Sequence, residues 1–497
     1  MENKFADEIK NILNGTSEYS RTENDGLQYR STNSALLDLF ATIGAMREKN
    51  EVEIIDAFSK ASVEDELLAM KMLFYARNIR GGLGERRTFR VILKNLGAFP
   101  KLIEKNIELV PDFGRWDDLF VLFDTNSEKI MLDFVTKQFK KDLLDYRAGN
   151  FKNISLLAKW MPSINASSKE TVALAKKFVN ALGTKDKYYR KALSELRTQL
   201  RIVEKAMSSN AWGEISYQGV PSYAMKNYAS AFGRHDYERF SSYIEQVKSG
   251  EKTINAGTLF PYDLVKKYGN TRWYNTWQTT EQPVVEIQWK ALPNYVDGNK
   301  NIMIMADTSG SMYNEISIYA SLGLGIYFAE RNHGAFHNLM MVFAGDPALV
   351  QLTEGASLVK KLSEIPAIVA SNTDIGKAFN KVLEIGITGK VSPEDMPEAL
   401  LVITDMEFDP SKVIGKTAYE TAQKNFARYG YKLPRVIFWN VSQRTSGYQA
   451  KKDDKGVIMV SGTSASTFKE VLAHIDMTPY EFMLKVLSNP IYDRVRV

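Results

Sequence analysis

The sequence predicts a two-part chain: an all-α helical-repeat region followed by a C-terminal Rossmann-like α/β domain. Three observations predict it. The first 280 or so of the 497 residues carry apolar residues at helical spacing almost throughout, without strand-like alternation. Beyond residue 300, two apolar runs, Ile302–Ala306 and Ala399–Thr404, each lead into an aspartate, as a buried central strand leads into a loop. Around those runs strand patterns alternate with helical ones, which implies parallel strands covered on both faces.

Residues 1–30 are polar and are expected to be loosely ordered. Residues 31–280 read as successive helices joined by short turns, a solenoid-like arrangement. Helical patterns cover Asn33–Lys49, Glu64–Arg80, Glu85–Leu96, Leu102–Leu109, Ile130–Tyr146 and Lys169–Leu182. They continue over Lys187–Ala206, Ser222–Ala231, Arg234–Lys248 and Thr258–Lys267. Residues 281–300 close a Trp-, Gln- and Pro-rich join, and 301–497 form the α/β domain. There, helices are expected near Ile316–Arg331, after Asp374, near Tyr419–Tyr429 and over Ser464–Ile475. Further strands are expected at Leu339–Ala344, Arg435–Asn440 and Val457–Val460.

Composition narrows the function classes. Hydrophobic residues make up 44% and charged residues 25%, the balance of a soluble globular protein. No apolar run of about 18 residues offers a membrane span, and the first residues lack an apolar signal core. The absence of cysteine removes disulfides and thiolate metal sites and fits a cytoplasmic protein. Four histidines make a zinc enzyme a poor fit. The net charge of +5 is unevenly spread: residues 151–250 alone carry 16 basic and 8 acidic side chains. A local excess of that kind is a candidate anion-binding surface.

The loop after the first apolar run reads Asp307-Thr308-Ser309-Gly310-Ser311. It offers a carboxylate and two hydroxyls at alternate positions, small oxygen ligands suited to a hard cation such as Mg²⁺. A second polar loop supplies Thr373 beside Asp374, and the second apolar run ends at Asp405. Carboxyl ends of strands are where open α/β sheets place ligands. Asp and Ser are also ordinary turn and cap residues, so the spacing of all three loops carries the reading.

Two basic clusters stand out in the helical region. Lys187–Ala206 has Tyr189, Leu193, Leu196, Leu200 and Val203 on an apolar stripe. Lys187, Arg190, Arg197, Arg201 and Lys205 gather roughly 120° away. Arg77, Arg80, Arg86, Arg87 and Arg90 surround the turn Gly81-Gly82-Leu83-Gly84. Glycines there could let backbone N–H groups approach an anion, and arginines bind phosphate bidentately. The alternatives are a solvated helix face for the first cluster, and for the second a tight hairpin whose arginines pair with Glu64, Asp65 or Glu85. The turn is neither a Walker loop nor a dinucleotide fingerprint.

The three α/β loops resemble the metal-ion-dependent adhesion site of the von Willebrand factor A domain. The resemblance implies Asp307, Ser309, Ser311, Thr373 and Asp405 as ligands of Mg²⁺ or Mn²⁺. In the helical region Arg77–Gly82, Gly114-Arg115-Trp116-Asp117-Asp118-Leu119, Lys159–Ser163, Tyr189–Lys191, Pro221-Ser222, Phe232–His235 and Gly257–Pro261 follow a further pattern. With the domain order, they resemble the Ro-like family, a TROVE-type HEAT-like helical repeat fused to a von Willebrand A domain. The nearest branch is its less characterised microbial and viral one. That resemblance implies a ring whose basic hole takes single-stranded RNA ends, while structured small RNAs lie on the outer surface.

The expectation is therefore a non-catalytic RNA-binding protein, with RNA on Arg77, Arg80, Arg86, Arg87, Arg90, Lys187, Arg190, Arg197 and Arg201. Tyr188, Tyr189, Trp160 and Trp212 are aromatics available for stacking bases, although Tyr189 lies on the apolar stripe and Trp116 reads as core. The alternative is a metal-dependent protein-interaction scaffold or viral structural component, with a partner's acidic side chain on the cation. An activated water needs a nearby base, and no such base is evident in the motifs, so an enzyme ranks last.

Overall fold

The computed structural model of the chain describes residues 11, 17–269, 277–296, 300–313, 316–366, 372–411, 413 and 415–497. The join expected at 281–300 falls partly outside them, at 297–299. Its first half is a helix, Pro283–Lys290, begun by proline at its first position.

Of the polar segment 1–30, residues 1–10 and 12–16 lie outside the described residues, and the part from residue 17 departs from expectation. Within it, β1 (Tyr19–Arg21) and β2 (Leu27–Tyr29) form an antiparallel hairpin. Asp25 takes a left-handed φ of 68° in its turn. The hairpin is ordered because the α/β domain completes it: Tyr29 bridges Tyr448, and the Thr22 hydroxyl donates to the Phe408 carbonyl at 2.6 Å.

The helical layer begins with Ala35–Phe40, capped by Ser34. The helix expected over Asn33–Lys49 ends early, and Glu51–Glu64 follows as a separate helix with an Asn50/Glu53 capping box. Next come Glu66–Arg77 and Arg87–Leu96, then Pro100–Asn106, Leu109–Phe113 and the long Glu128–Arg147. Beyond Leu157–Trp160 and Lys169–Ala181, the pattern expected over Lys187–Ala206 splits into Asp186–Gln199 and Val203–Ser208. Arg201 sits between them at φ 49°. Arg201 N–H donates to Thr198 O and Ile202 N–H to Arg197 O, a Schellman ending. With arginine in place of the usual glycine, nothing in the sequence marks this break. Ser222–His235, Tyr237–Lys248 and Pro261–Val265 complete the layer.

The α/β domain has a six-stranded sheet in the order β5-β4-β3-β6-β7-β8. The strands are β3 (Ile302–Asp307), β4 (Leu339–Phe343), β5 (Ala348–Gln351), β6 (Ala399–Thr404), β7 (Arg435–Asn440) and β8 (Val457–Ser461). All neighbours are parallel except β5, an antiparallel edge strand missed by the sequence reading. Every residue of β3 and β6 is buried, as near-continuous apolar runs require. The chain passes from β3 to β4 on one side and returns to β6 on the other, so β3 and β6 flank the switch point.

Both ends of the helical layer rest on this domain. Near its start, Gly44 N–H donates to Ser461 Oγ at 3.0 Å and Ser466 Oγ donates to Gly82 O at 2.7 Å. Near its end, the helix Ser317–Arg331 packs on Pro261–Val265. A Cβ at Gly323 would lie 2.9 Å from the Tyr262 nitrogen, so only glycine permits that approach. The two ends also meet each other, with the Arg47 guanidinium 5.8 Å over the Tyr262 ring.

The glycine turn at 81–84 is explained by packing. Its N–H groups are spent inside the turn: Gly81 on Asn78 Oδ1, Gly82 and Gly84 on Asn78 O, Leu83 on Tyr75 O. The anion-cradling role expected for them is therefore not available. A Cβ on Gly82 would stand 2.1 Å from the Tyr75 carbonyl oxygen, whereas one on Gly81 meets nothing closer than 3.6 Å. Gly82→Ala is expected to destabilise the protein by about 1–3 kcal/mol. Gly81→Ala should stay within about 0.5 kcal/mol. Thermal or urea unfolding of the pair checks this, and equal effects would refute the packing account.

Candidate metal centre and basic cavity

The carboxyl ends of β3 and β6 bring the three α/β loops together. Asp307, Ser309, Thr373 and Asp405 are all buried, and Ser311 is half-buried. Asp307 accepts from Thr404 Oγ1 at 2.6 Å and from Ser309 N–H at 2.9 Å. The Ser309 and Ser311 hydroxyls lie 3.1 Å apart. Thr373 is held by backbone contacts: its carbonyl accepts from Asp409 N–H, and Asp374 N–H bonds Ala344 O at the end of β4. Asp405 Oδ2 is buried with no hydrogen-bond partner.

Electrostatics shows what the burial of the two carboxyls does to them. Burial pushes the Asp307 carboxyl up, with a further push from Asp409. Burial also pushes Asp405 up and the charge of Asp307 adds to it, against a smaller opposing pull from the nearby Ser311 hydroxyl. Two buried carboxyls with an orphaned oxygen cannot both ionise comfortably without a cation between them. The donor set of two carboxylates and three hydroxyls therefore fits a hard divalent ion. Among the described residues no group of three or more His, Cys, Asp or Glu is placed to hold a metal, so the hydroxyls are essential to that reading. The sequence reading missed Thr404, which orients Asp307, and Asn24, whose Nδ2 donates to Thr373 Oγ1 at 3.3 Å. Thr404 could have been noticed as the residue before Asp405. Nothing marks Asn24, nearly 350 residues upstream of its partner.

The second site is a cavity of about 1800 Å³ in the helical layer. Six of the arginines singled out from the sequence line it: Arg77, Arg86, Arg87, Arg90, Arg190 and Arg197. The two basic clusters, about 100 residues apart, thus face one space. Arg80, Lys187 and Arg201 are exposed and are not in the wall. Arg201 leaves its expected stripe because the helix has ended. Arg47, Lys94, Arg115, Lys159 and Lys205 add positive charge to the wall, and Trp116, Trp160, Tyr223 and Tyr228 add aromatic surface. Of the aromatics proposed for stacking, only Trp160 is there. Tyr189 is buried and donates to Pro162 O, while Trp212 stacks on His235.

Several wall arginines have internal partners, but not those expected. Asp118, wholly buried, accepts from Arg77 Nε at 2.7 Å and from Arg90 Nε at 2.6 Å. Asp117 pairs with Arg86, Arg90 and Arg115 at 2.9, 2.7 and 3.1 Å. Glu85 instead pairs with Arg47, Glu64 with Ser34 Oγ, and Asp65 with Leu68 N–H. Burial pushes the Asp118 carboxyl up, yet Arg77 and Arg90 more than reverse it and hold it below the usual range. Four guanidiniums around two carboxylates leave a net positive wall. Arg115 also lies 4.1 Å over the Trp160 ring. Arg197 is fixed by neutral acceptors, namely Ala158 O, Met161 O and Ser163 Oγ. Burial lowers its pKa, and an anion in the cavity would relieve that penalty. Arg87 donates to Arg47 O and Lys49 O. Arg190 is exposed at the wall.

A helical layer with a basic cavity, seated on an α/β domain that carries an aspartate–hydroxyl loop cluster, defines the class of protein. Residues 22–129 and 129–299 match the family described as Domain of unknown function (DUF2828), and the chain belongs to that family. Residues 301–485 match a second one, Domain of unknown function (DUF7788). Uncharacterized protein L728 of Acanthamoeba polyphaga mimivirus is 28% identical over 524 residues, covering 95% of this chain and 88% of that protein. The crystal structure of the Deinococcus radiodurans Ro (RSR) protein aligns with 91% of this chain and 92% of its own, at 13% identity and a TM-score of 0.36.

The buried carboxyl pair has a pH signature. Both folded values lie above the ordinary 3.8. Such groups stabilise the fold fully below the unfolded value, and that stability is lost as pH rises through the folded values. In EDTA, wild-type protein is expected to lose thermal stability as pH rises from about 4 towards 8. Asp405→Asn should flatten that dependence and stabilise the metal-free protein at pH 8 by on the order of 1 kcal/mol. Melting curves in EDTA across that range check it, and an unchanged slope in the variant would refute it.

Proposed function

We propose that this chain is a Ro-like RNA-binding protein that binds rather than catalyses, with a divalent cation, Mg²⁺ or Mn²⁺, in its α/β domain. The observation that carries the reading is the convergence of two distant arginine clusters on one aromatic-lined cavity. Arg and Lys there would meet phosphates, and Trp160 with Tyr223 or Tyr228 would offer faces to bases. The Ro-like motif order supports it, as does the seating of both ends of the helical layer on the α/β domain, which is what a ring requires. Asp307, Ser309, Ser311, Thr373 and Asp405 would hold the cation, which neutralises the two carboxylates and ties the three loops together. Among the described residues no helix is long and apolar enough to cross a membrane.

A second reading, an α/β domain that captures an acidic side chain of a partner protein on its cation, is favoured by the hydroxyl-rich ligand set. Five ligands from the chain leave the sixth position of an octahedral ion for an outside carboxylate.

The test is fluorescence anisotropy of a 20-nucleotide single-stranded RNA at several salt concentrations. Binding should fall steeply with salt. Arg190→Ala and Lys94→Ala, both exposed in the cavity wall, should each weaken it and reduce the log–log salt slope by about 0.7. Lys187→Ala, outside the wall, should change neither. No binding at low salt would sink the RNA reading, and equal losses for Lys187→Ala would move the RNA to the outer surface. Separately, Mg²⁺ at about 100 times its dissociation constant should stabilise the wild type by about 2.7 kcal/mol. It should not stabilise Asp307→Ala, and a melting curve of each with Mg²⁺ or EDTA decides this.

A further inference from the structure

The N-terminal hairpin touches the metal loops through its turn. Asn24 Nδ2 donates to the Glu407 carbonyl at 2.7 Å and to Thr373 Oγ1 at 3.3 Å. One small side chain thereby bridges the second ligand loop and the third. The carbonyl fixes the orientation of the amide: a flip would set Oδ1 against another oxygen. Thr373 therefore faces a donor and must receive it with one lone pair, which aims its remaining lone pair and its proton elsewhere.

Neighbouring contacts seat the turn on the third loop. Glu23 N–H donates to Glu407 Oε2 at 2.7 Å, and Thr445 N–H and Oγ1 donate to Glu407 Oε1 at 2.8 and 2.7 Å. Glu407 N–H in turn donates to Asp405 Oδ1 at 3.2 Å. A Cβ on Gly26 would stand 2.2 Å from the Phe408 carbonyl oxygen, so the two backbones lie in direct contact. Between Asp405 and Glu407, Met406 has a φ of 68°. That conformation costs an L-residue about 1–2 kcal/mol and persists only where the surroundings impose it.

We propose that Asn24 is a positioning residue of the metal centre: its amide locks Thr373 to the Asp405–Asp409 loop, so the N-terminal hairpin completes the site in cis. The inference rests on the metal reading given above. Its logic is that of outer groups that orient a metal's ligands and tune its affinity.

The test is isothermal titration of Mn²⁺ into full-length wild type, Asp307→Ala, Asn24→Ala and Asn24→Asp, with a melting curve of each in EDTA. Wild type is expected to bind and Asp307→Ala not to bind. Asn24→Ala should bind roughly 10–100-fold more weakly, with an EDTA melting curve close to wild type. Asn24→Asp keeps the size but removes both donors, so it should bind no better than Asn24→Ala. Unchanged affinity in Asn24→Ala overturns the proposal, as does a lowered EDTA melting curve with no change in affinity, which marks a merely structural role. Tighter binding by Asn24→Asp than by wild type overturns it too, because the position would then act through charge. If wild type itself takes no Mn²⁺, the metal reading falls and takes this inference with it, a result distinct from every outcome for Asn24.

Discussion

The helical layer depends on the burial of one carboxylate. Asp118 has no exposed surface, and an isolated charge there would cost several kcal/mol. Arg77 and Arg90 answer it from two different helices, Glu66–Arg77 and Arg87–Leu96, while Asp118 itself sits in the short turn Trp116–Leu122. The three segments are tied at one point. Because each guanidinium has more donors than Asp118 can use, Asp117 and Arg86 are drawn into the same network, and the surplus positive charge faces the cavity. Packing and anion attraction thus come from one arrangement.

The α/β domain makes the opposite choice. Its buried carboxylates, Asp307 and Asp405, have hydroxyls and backbone N–H groups around them and no paired arginine or lysine among the described contacts. A protein that neutralises Asp118 with two guanidiniums has the means to neutralise these as well. Their place at the switch point of a parallel sheet suits the divalent cation proposed above. The N-terminal hairpin lies against the same loops, so the first described residues of the chain and the last half of the sheet share one local structure.

The seating of the helical layer on the α/β domain has a related physical basis. The helical layer starts beside β8 and returns to the helix Ser317–Arg331, with small residues at both contacts: Gly44 at Ser461 and Gly323 at Tyr262. The turn at Gly82 belongs to the first contact. Its glycines answer to neighbouring backbone, which is why a sequence pattern suggestive of an anion cradle turned out to serve packing.

Much of the architecture was legible in the sequence. The buried strands β3 and β6 announce themselves as unbroken apolar runs, and helices such as Glu128–Arg147 announce themselves by period, because burial dictates both patterns locally. The three polar loops at Asp307, Thr373 and Asp405 were legible for the same reason, being the polar ends of those runs or the cap of a helix. Ion-pair partners were not. Arg77 and Arg90 could have met any of several acids, and only packing chose Asp118 over Glu64, Asp65 or Glu85. The helix break at Arg201 was hidden because its left-handed residue is not glycine. The hairpin's order was hidden because its partners lie some 400 residues away. By itself the sequence determined most of the helices, the buried strands and which residue types could carry charge or ligate metal, since those follow from neighbours along the chain. Only the tertiary structure decided which arginines share one cavity, which carboxyls are buried beside each other and that Asn24 reaches Thr373, since those depend on distances between segments far apart in sequence.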